Sequence, residues 1–97
     1  MIEFKYPKEK EILSYYAHLL NNQTAIQFLL SASVESKEEV RVLAKFYWEI
    51  VDASIEEENI GAARFEDMEK WLERIYTSLH IYFNNIGLEE AWESEIP

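Results

Sequence analysis

Glycine and proline are nearly absent from this chain, and where they fall constrains its architecture. Each of the two glycines follows the same dipeptide, in Asn59-Ile60-Gly61 and Asn85-Ile86-Gly87. A glycine after an amphipathic run is the usual left-handed helix stop, because it lacks the Cβ that clashes there. After the second stop, Leu88 falls where it would pack back on Phe83. Of the two prolines, Pro7 sits where a first helix should begin and Pro97 is the last residue. No strand-like alternation of useful length occurs between these marks. The chain is therefore predicted to be all-α.

The apolar spacing divides it into helices. The first is predicted from about Pro7 to Leu20, with Ile12, Leu13, Tyr16, Leu19 and Leu20 on its apolar face. Asn21-Asn22 is expected to break it, with Thr24 capping a second helix that carries Ile26, Leu29, Leu30 and Val34. The series Ile12, Tyr16, Leu19, Gln23, Ile26, Leu30 is heptad-like and leaves one long helix as the alternative. Ser36-Lys37-Glu38-Glu39 has the form of a capping box, the Ser hydroxyl accepting from the Glu39 amide while the Glu reaches back. The helix it opens should run to about Glu58. Apolar residues from Val40 to Ile55 cover more than half its circumference, as expected of a central helix. A fourth helix is predicted from about Ala63 to Ile86. Its seam of Phe65, Met68, Leu72, Ile75, Leu79, Tyr82 and Ile86 suits antiparallel packing. The tail Leu88–Pro97 adds an amphipathic turn with Leu88, Ala91 and Trp92. The expected fold is an up-and-down antiparallel helical bundle of three to four main helices with a short C-terminal helical turn, one domain over 1–97.

Composition removes several function classes. The chain is 48% hydrophobic and 14% aromatic, too much for a disordered acidic tail. It contains no Cys, so a disulfide framework, a thiol nucleophile and thiolate zinc sites are excluded. That usage fits a cytoplasmic protein. The opening MIEFKYPKEKE is charged and has no apolar core, so no signal peptide is expected. No apolar run is long enough to span a membrane.

Charge is distributed unevenly. Residues 1–48 balance six Lys/Arg against six Glu, whereas residues 49–97 set Arg64, Lys70 and Arg74 against thirteen acids, which is the whole net charge of −10. Such a surface is repelled by phosphate backbones, so direct nucleic-acid binding is disfavoured. Glu49, Asp52 and Glu56 lie at i, i+3, i+7 on the third predicted helix, and Glu66, Glu69 and Glu73 repeat that spacing on the fourth. Folded antiparallel about Asn59–Gly61, the two ribs come level: Glu56 with Glu66, Asp52 with Glu69, Glu49 with Glu73. Glu57 and Glu58 extend them at the tip. Like charges at these spacings destabilise a helix by about 0.2–0.5 kcal/mol per pair. Lys45 and Lys70 are expected to offset part of this through i, i+4 pairing with Glu49 and Glu66. The bland alternative is a solvated face that serves solubility.

Catalytic patterns are sparse. His18 falls on the polar face of the first helix, and His80 flanks the seam of the fourth. Neither has HxxxH or ExxH spacing, so no metal is expected. Arg74-Ile75-Tyr76-Thr77-Ser78-Leu79-His80 is an Arg-x5-His segment similar to the motif of the HEPN ribonucleases, helical proteins in which that Arg and His serve RNA cleavage. Those enzymes usually place a polar residue after the Arg, where this chain has Ile75. Glu49-x-x-Asp52 and Glu66-x-x-Glu69 resemble the carboxylate pairs that hold Mg²⁺ in MazG-like nucleotide pyrophosphohydrolases. In that family the ExxE pair comes first, and here the order is reversed. No nucleophile–base arrangement and no phosphate-cradling glycine loop is present, so no cofactor is expected.

Aromatic residues supply a last lead. Tyr15, Ile81 and Trp92 fall at or off the edges of the core faces, and Glu89-Glu90-Ala91-Trp92-Glu93-Ser94-Glu95 has the form of a docking tail. Trp and Tyr anchor interfaces, and Arg stacks on their faces. The alternative is a terminal Trp that caps the end of the bundle. The reading is a small acidic non-catalytic protein that masks a basic protein partner, immunity- or antitoxin-like, through Glu49, Asp52, Glu56, Glu57, Glu58, Glu66, Glu69, Glu73 and Trp92. A structural subunit burying apolar surface in a homodimer or larger homo-oligomer, and the two enzyme classes above, are the alternatives.

Overall fold

The computed structural model describes residues 2–30 and 33–95. It holds five helices and, among those residues, no strand: α1 (Pro7–Leu19), α2 (Gln23–Leu30), α3 (Lys37–Asn59), α4 (Met68–Asn85) and α5 (Glu89–Glu93). The expected helical bundle is the fold observed. At about 1.5 Å per residue, the 23 residues of α3 account for most of the 39 Å long axis.

Three helices end in the same way. Gly61 and Gly87 take φ of 73° and 75°. Their amides bond Glu58 and Asn84, and the next amides, of Ala62 and Leu88, reach Glu57 and Phe83. This is the paired bonding of a Schellman stop. Asn21 (φ 53°) repeats it at the end of α1, with Asn21 N–H on His18 and Asn22 N–H on Ala17. The first segment is thus two helices and not one. The cap of α2 is Asn22, whose Oδ1 accepts from Ala25 N–H at 3.1 Å, and Thr24, the expected cap, lies inside the helix. Val34 is buried but follows α2 instead of belonging to it.

At the start of α3, Ser36 Oγ accepts from Glu39 N–H at 3.3 Å as expected. The return bond differs by one residue, since the Glu39 carboxylate accepts from the amide of Glu35. The largest departure is the start of α4. The expected helix from Ala63 begins only at Met68, after Asp67 in left-handed geometry (φ 56°, ψ 39°). Phe65 is still buried, but from a connecting loop. At the other end of α4 the seam runs through Phe83, while Ile86 is exposed and Tyr82 half-buried. Ile55, counted in the apolar arc of α3, is also exposed.

α3 is central: it packs on α2, α4 and α5, while α1 packs on α2 and α4. Its stripe of Val40, Leu43, Ala44, Phe46, Tyr47 and Ile50 meets Leu72, Ile75, Leu79 and Phe83 of α4 and Ile12, Leu13 and Tyr16 of α1 in one continuous core. Tyr47 fixes the α3–α4 register by donating to the Leu72 carbonyl at 2.9 Å. Among the described residues no helix is long and apolar enough to cross a membrane.

Candidate interaction face

The acids of α3 fall where the core stripe dictates. Buried Tyr47, Ile50 and Ser54 turn Glu49, Asp52 and Glu56 outward at 100° per residue, and all three are exposed. On α4, Glu69 and Glu73 are exposed too, but they flank Leu72 and Tyr76 on the side that meets α3. Together with Tyr47, Trp48 and Val51 they line a shallow groove of about 390 Å³ between the two helices. Glu49, Asp52 and Glu56 do not line this groove. Near the connecting loop, Glu58 shares a second cleft, of about 540 Å³, with Asp67, Met68, Glu69 and Lys70.

Three expected members are placed differently. Glu66 is exposed but sits in the loop before α4, so the second triplet is not a helical rib. Glu57 turns inward. Its carboxylate accepts from the Tyr16 hydroxyl at 2.5 Å and from the Tyr15 hydroxyl at 3.4 Å, tying the end of α3 to α1. Trp92 is not a surface anchor: it is 1% exposed and packs against Tyr47, Tyr76 and Phe83. Gly87 ends α4, and the five-residue α5 that follows packs back on α3 and α4, so the Trp92 indole closes the core.

No base is in ion-pairing contact with these exposed acids among the described residues, although Lys70 lines the second cleft beside Glu58 and Glu69. The ion pairs among the described residues are Lys8–Glu11 and Arg41–Glu38, both outside this arm. The expected pairs Lys45–Glu49 and Lys70–Glu66 are absent there. Two of the three bases in this half are engaged elsewhere. Arg64 lies over Tyr15 and Phe65 at 5.7 and 6.0 Å, and Arg74 over Tyr6 and Trp71 at 4.8 and 4.9 Å. These stacks hold both guanidinium groups on rings of the N-terminal segment, α1, α4 and the loop before α4.

Two phenols are perturbed. Burial, and then the hydrogen bond to the Glu57 carboxylate, push the Tyr16 hydroxyl far above its ordinary range. Burial, then the nearby Tyr76 and Glu73, push Tyr47 up to about 12. Among the described residues three ring nitrogens, Nε1 of Trp48 and Trp92 and Nδ1 of His80, are buried with no hydrogen-bond partner.

Arg74 and His80 make separate ring contacts. Arg74 faces Tyr6, whereas His80 stacks on Tyr76 toward α5, with centroids 6.0 Å apart and ring planes within 8°. Among the described residues no three His, Asp or Glu side chains come close enough to hold a metal ion, so Glu49, Asp52, Glu66 and Glu69 form no such cluster. His18 is exposed and its Nδ1 meets the Ser14 carbonyl at 2.8 Å.

One buried acid has no sequence signal. Glu9 is 1% exposed, and its Oε2 accepts from the Ser78 hydroxyl at 3.1 Å across 69 positions. It sits at a groove between the N-terminal segment and α4, lined also by Lys5, Tyr6 and Arg74. A Glu in the first turn of a helix is ordinarily a solvated partner of the helix dipole, so its burial depends on how α1 meets α4. Compared with known proteins, the chain matches no family model, no curated protein and no solved structure.

Proposed function

We propose that this chain is a non-catalytic cytoplasmic binding protein that masks a basic surface on a protein partner, in the manner of an immunity protein or antitoxin. The observation that carries the reading is a set of seven exposed acids, Glu49, Asp52, Glu56, Glu58, Glu66, Glu69 and Glu73, with no cation in ion-pairing contact among the described residues. An ordered surface of this kind repels itself, and its field attracts a cationic partner and speeds encounter. Phosphate backbones are repelled by the same field, so the partner is a protein and not a nucleic acid. A nuclease or another nucleic-acid-binding protein offers the matching cationic site.

The test is capture from the native host at low salt. The wild type should retain a basic partner and suppress its activity. A variant carrying Glu49→Gln, Asp52→Asn, Glu56→Gln, Glu69→Gln and Glu73→Gln should retain neither property. Retention of the same protein by both chains would overturn the reading.

Exposed Ile55 (52%) and Ile60 (73%) support a second reading, in which apolar surface on this arm is buried against another copy. Sizing in low and high salt separates the two: a hydrophobic dimer persists in salt, whereas an electrostatic complex dissociates.

A further inference from the structure

We infer that the groove between α3 and α4 receives an arginine side chain of the basic partner. The inference rests on the acidic-face reading and locates its energetic centre. The floor is apolar and aromatic, from Trp48, Val51, Leu72 and Tyr76, and the rim carries Glu69 and Glu73. A guanidinium has the two properties such a site recognises. Its flat face stacks on a ring, and its fork of N–H donors meets carboxylates in fixed geometry. An ammonium has neither the plane nor the fork.

Outside the groove the chain lays its own bases over four rings, though not, among the described residues, over half-buried Phe4, Phe28 or Tyr82. Tyr6 lies under Lys5 and Arg74, Trp71 under Arg74, Tyr15 under Arg64, and Phe65 under Lys8 and Arg64. Trp48 and Tyr76 are half-buried, and among the described residues no Lys or Arg lies over either, Tyr76 being stacked on His80. Trp48 meets one other ring there, Tyr47 at 5.0 Å, in a T-shaped arrangement. These two rings stand beside Glu69 and Glu73, which make no ion pair among the described residues, Lys70 lying in the neighbouring cleft. Among those residues no Lys or Arg lines the groove itself. It also replaces the anchor lost with Trp92, since Trp48 offers an indole on the acidic face itself.

The experiment compares labelled hexa-arginine and hexa-lysine peptides by fluorescence anisotropy at low salt. They carry equal charge, so a purely electrostatic face binds them alike. The wild type is expected to prefer hexa-arginine by about threefold or more, within the range of one stacked cation. Removing two charges at the groove (Glu69→Gln with Glu73→Gln) should weaken hexa-arginine about fivefold. Removing two on the outer face (Glu49→Gln with Glu56→Gln) should weaken it no more than about twofold. Trp48→Leu should abolish the preference for arginine. Equal losses from the two double variants, or no preference in the wild type, would overturn the groove and leave the acidic-face reading standing. Failure of the wild type to bind either peptide would overturn both.

Discussion

The Tyr16 hydroxyl donates to the Glu57 carboxylate at 2.5 Å, joining the last turn of α1 to the end of α3 across 41 positions of sequence. The bond withdraws one carboxylate from a run of three acids and converts it into a structural tie. A hydrogen bond to a charged group contributes about 1.5–3 kcal/mol, and Tyr15 at 3.4 Å is too long to replace it fully. Tyr16→Phe is therefore expected to destabilise the protein by about 1–2 kcal/mol in urea denaturation, with an unchanged slope. Because the variant keeps the surface acids, its affinity for a cationic peptide should not fall. A Phe variant as stable as the wild type would show that Glu57 is held by other means.

The same phenols set the alkaline limit. Tyr47 is pushed up to about 12 by burial, with Tyr76 and Glu73 adding to it, against an ordinary value of 10.0. Tyr16 is raised further for the reasons given above. A raised value means that the folded state holds the proton longer than the unfolded chain does. For Tyr47 the associated stability is complete below pH 10, falls as the unfolded phenol ionises, and is lost as pH rises through about 12, and for Tyr16 the loss extends higher. The melting temperature should therefore decline steeply above about pH 10. In Tyr47→Phe, which starts less stable, that decline should be shallower. An equal slope in both chains would show that Tyr47 does not govern it.

Much of this arrangement can be read from the sequence, and the failures have local physical causes. Glycine stops at 61 and 87, the Ser36 cap and the core stripe of α3 depend on nearest neighbours along the chain, and each is found. The start of α4 is misplaced because Phe65 fits the apolar period of the helix, yet fills the core from a loop. Tertiary burial satisfies the spacing without the helix. Trp92 is misread because a helix of five residues is too short to show a period, so only the turn at Gly87 reveals which way its indole goes. Glu9 and Glu57 are legible as acids and not as buried or tied ones, since their partners Ser78 and Tyr16 lie 69 and 41 positions away. On the acidic face, outward-facing Glu49, Asp52 and Glu56 follow from the helix period alone. The groove beside Trp48 does not, because it needs the register that Tyr47 and Leu72 set.

Trp92 gives a direct test of its place in the core. A fully buried aromatic truncated to alanine costs about 3–5 kcal/mol. A surface docking residue costs little stability and much affinity. Trp92→Ala should lower the denaturation midpoint sharply, and a chain ending at residue 88 should lose most of its cooperative transition. Trp92→Phe, which keeps ring contact with Tyr47, Tyr76 and Phe83 and removes the unpartnered indole nitrogen, should cost less than half as much. An alanine variant of wild-type stability would return Trp92 to the surface.

The acids of α3 should weaken the fold that carries them. Glu49 and Asp52 are three apart, and Asp52 and Glu56 four apart, so each pair repels across one helical turn without a cation in contact. Neutralising all three as Glu49→Gln, Asp52→Asn and Glu56→Gln removes two such pairs, at about 0.2–0.5 kcal/mol each. The triple variant should therefore be about 0.5–1 kcal/mol more stable than the wild type at low ionic strength. In 1 M salt the screening length falls to about 3 Å, and the two stabilities should converge. The sign separates a functional surface from a structural one. Acids that hold the bundle together lose stability when neutralised, in any salt, whereas acids kept for an external partner gain it only where the repulsion is felt. Equilibrium urea curves at two ionic strengths decide between these outcomes.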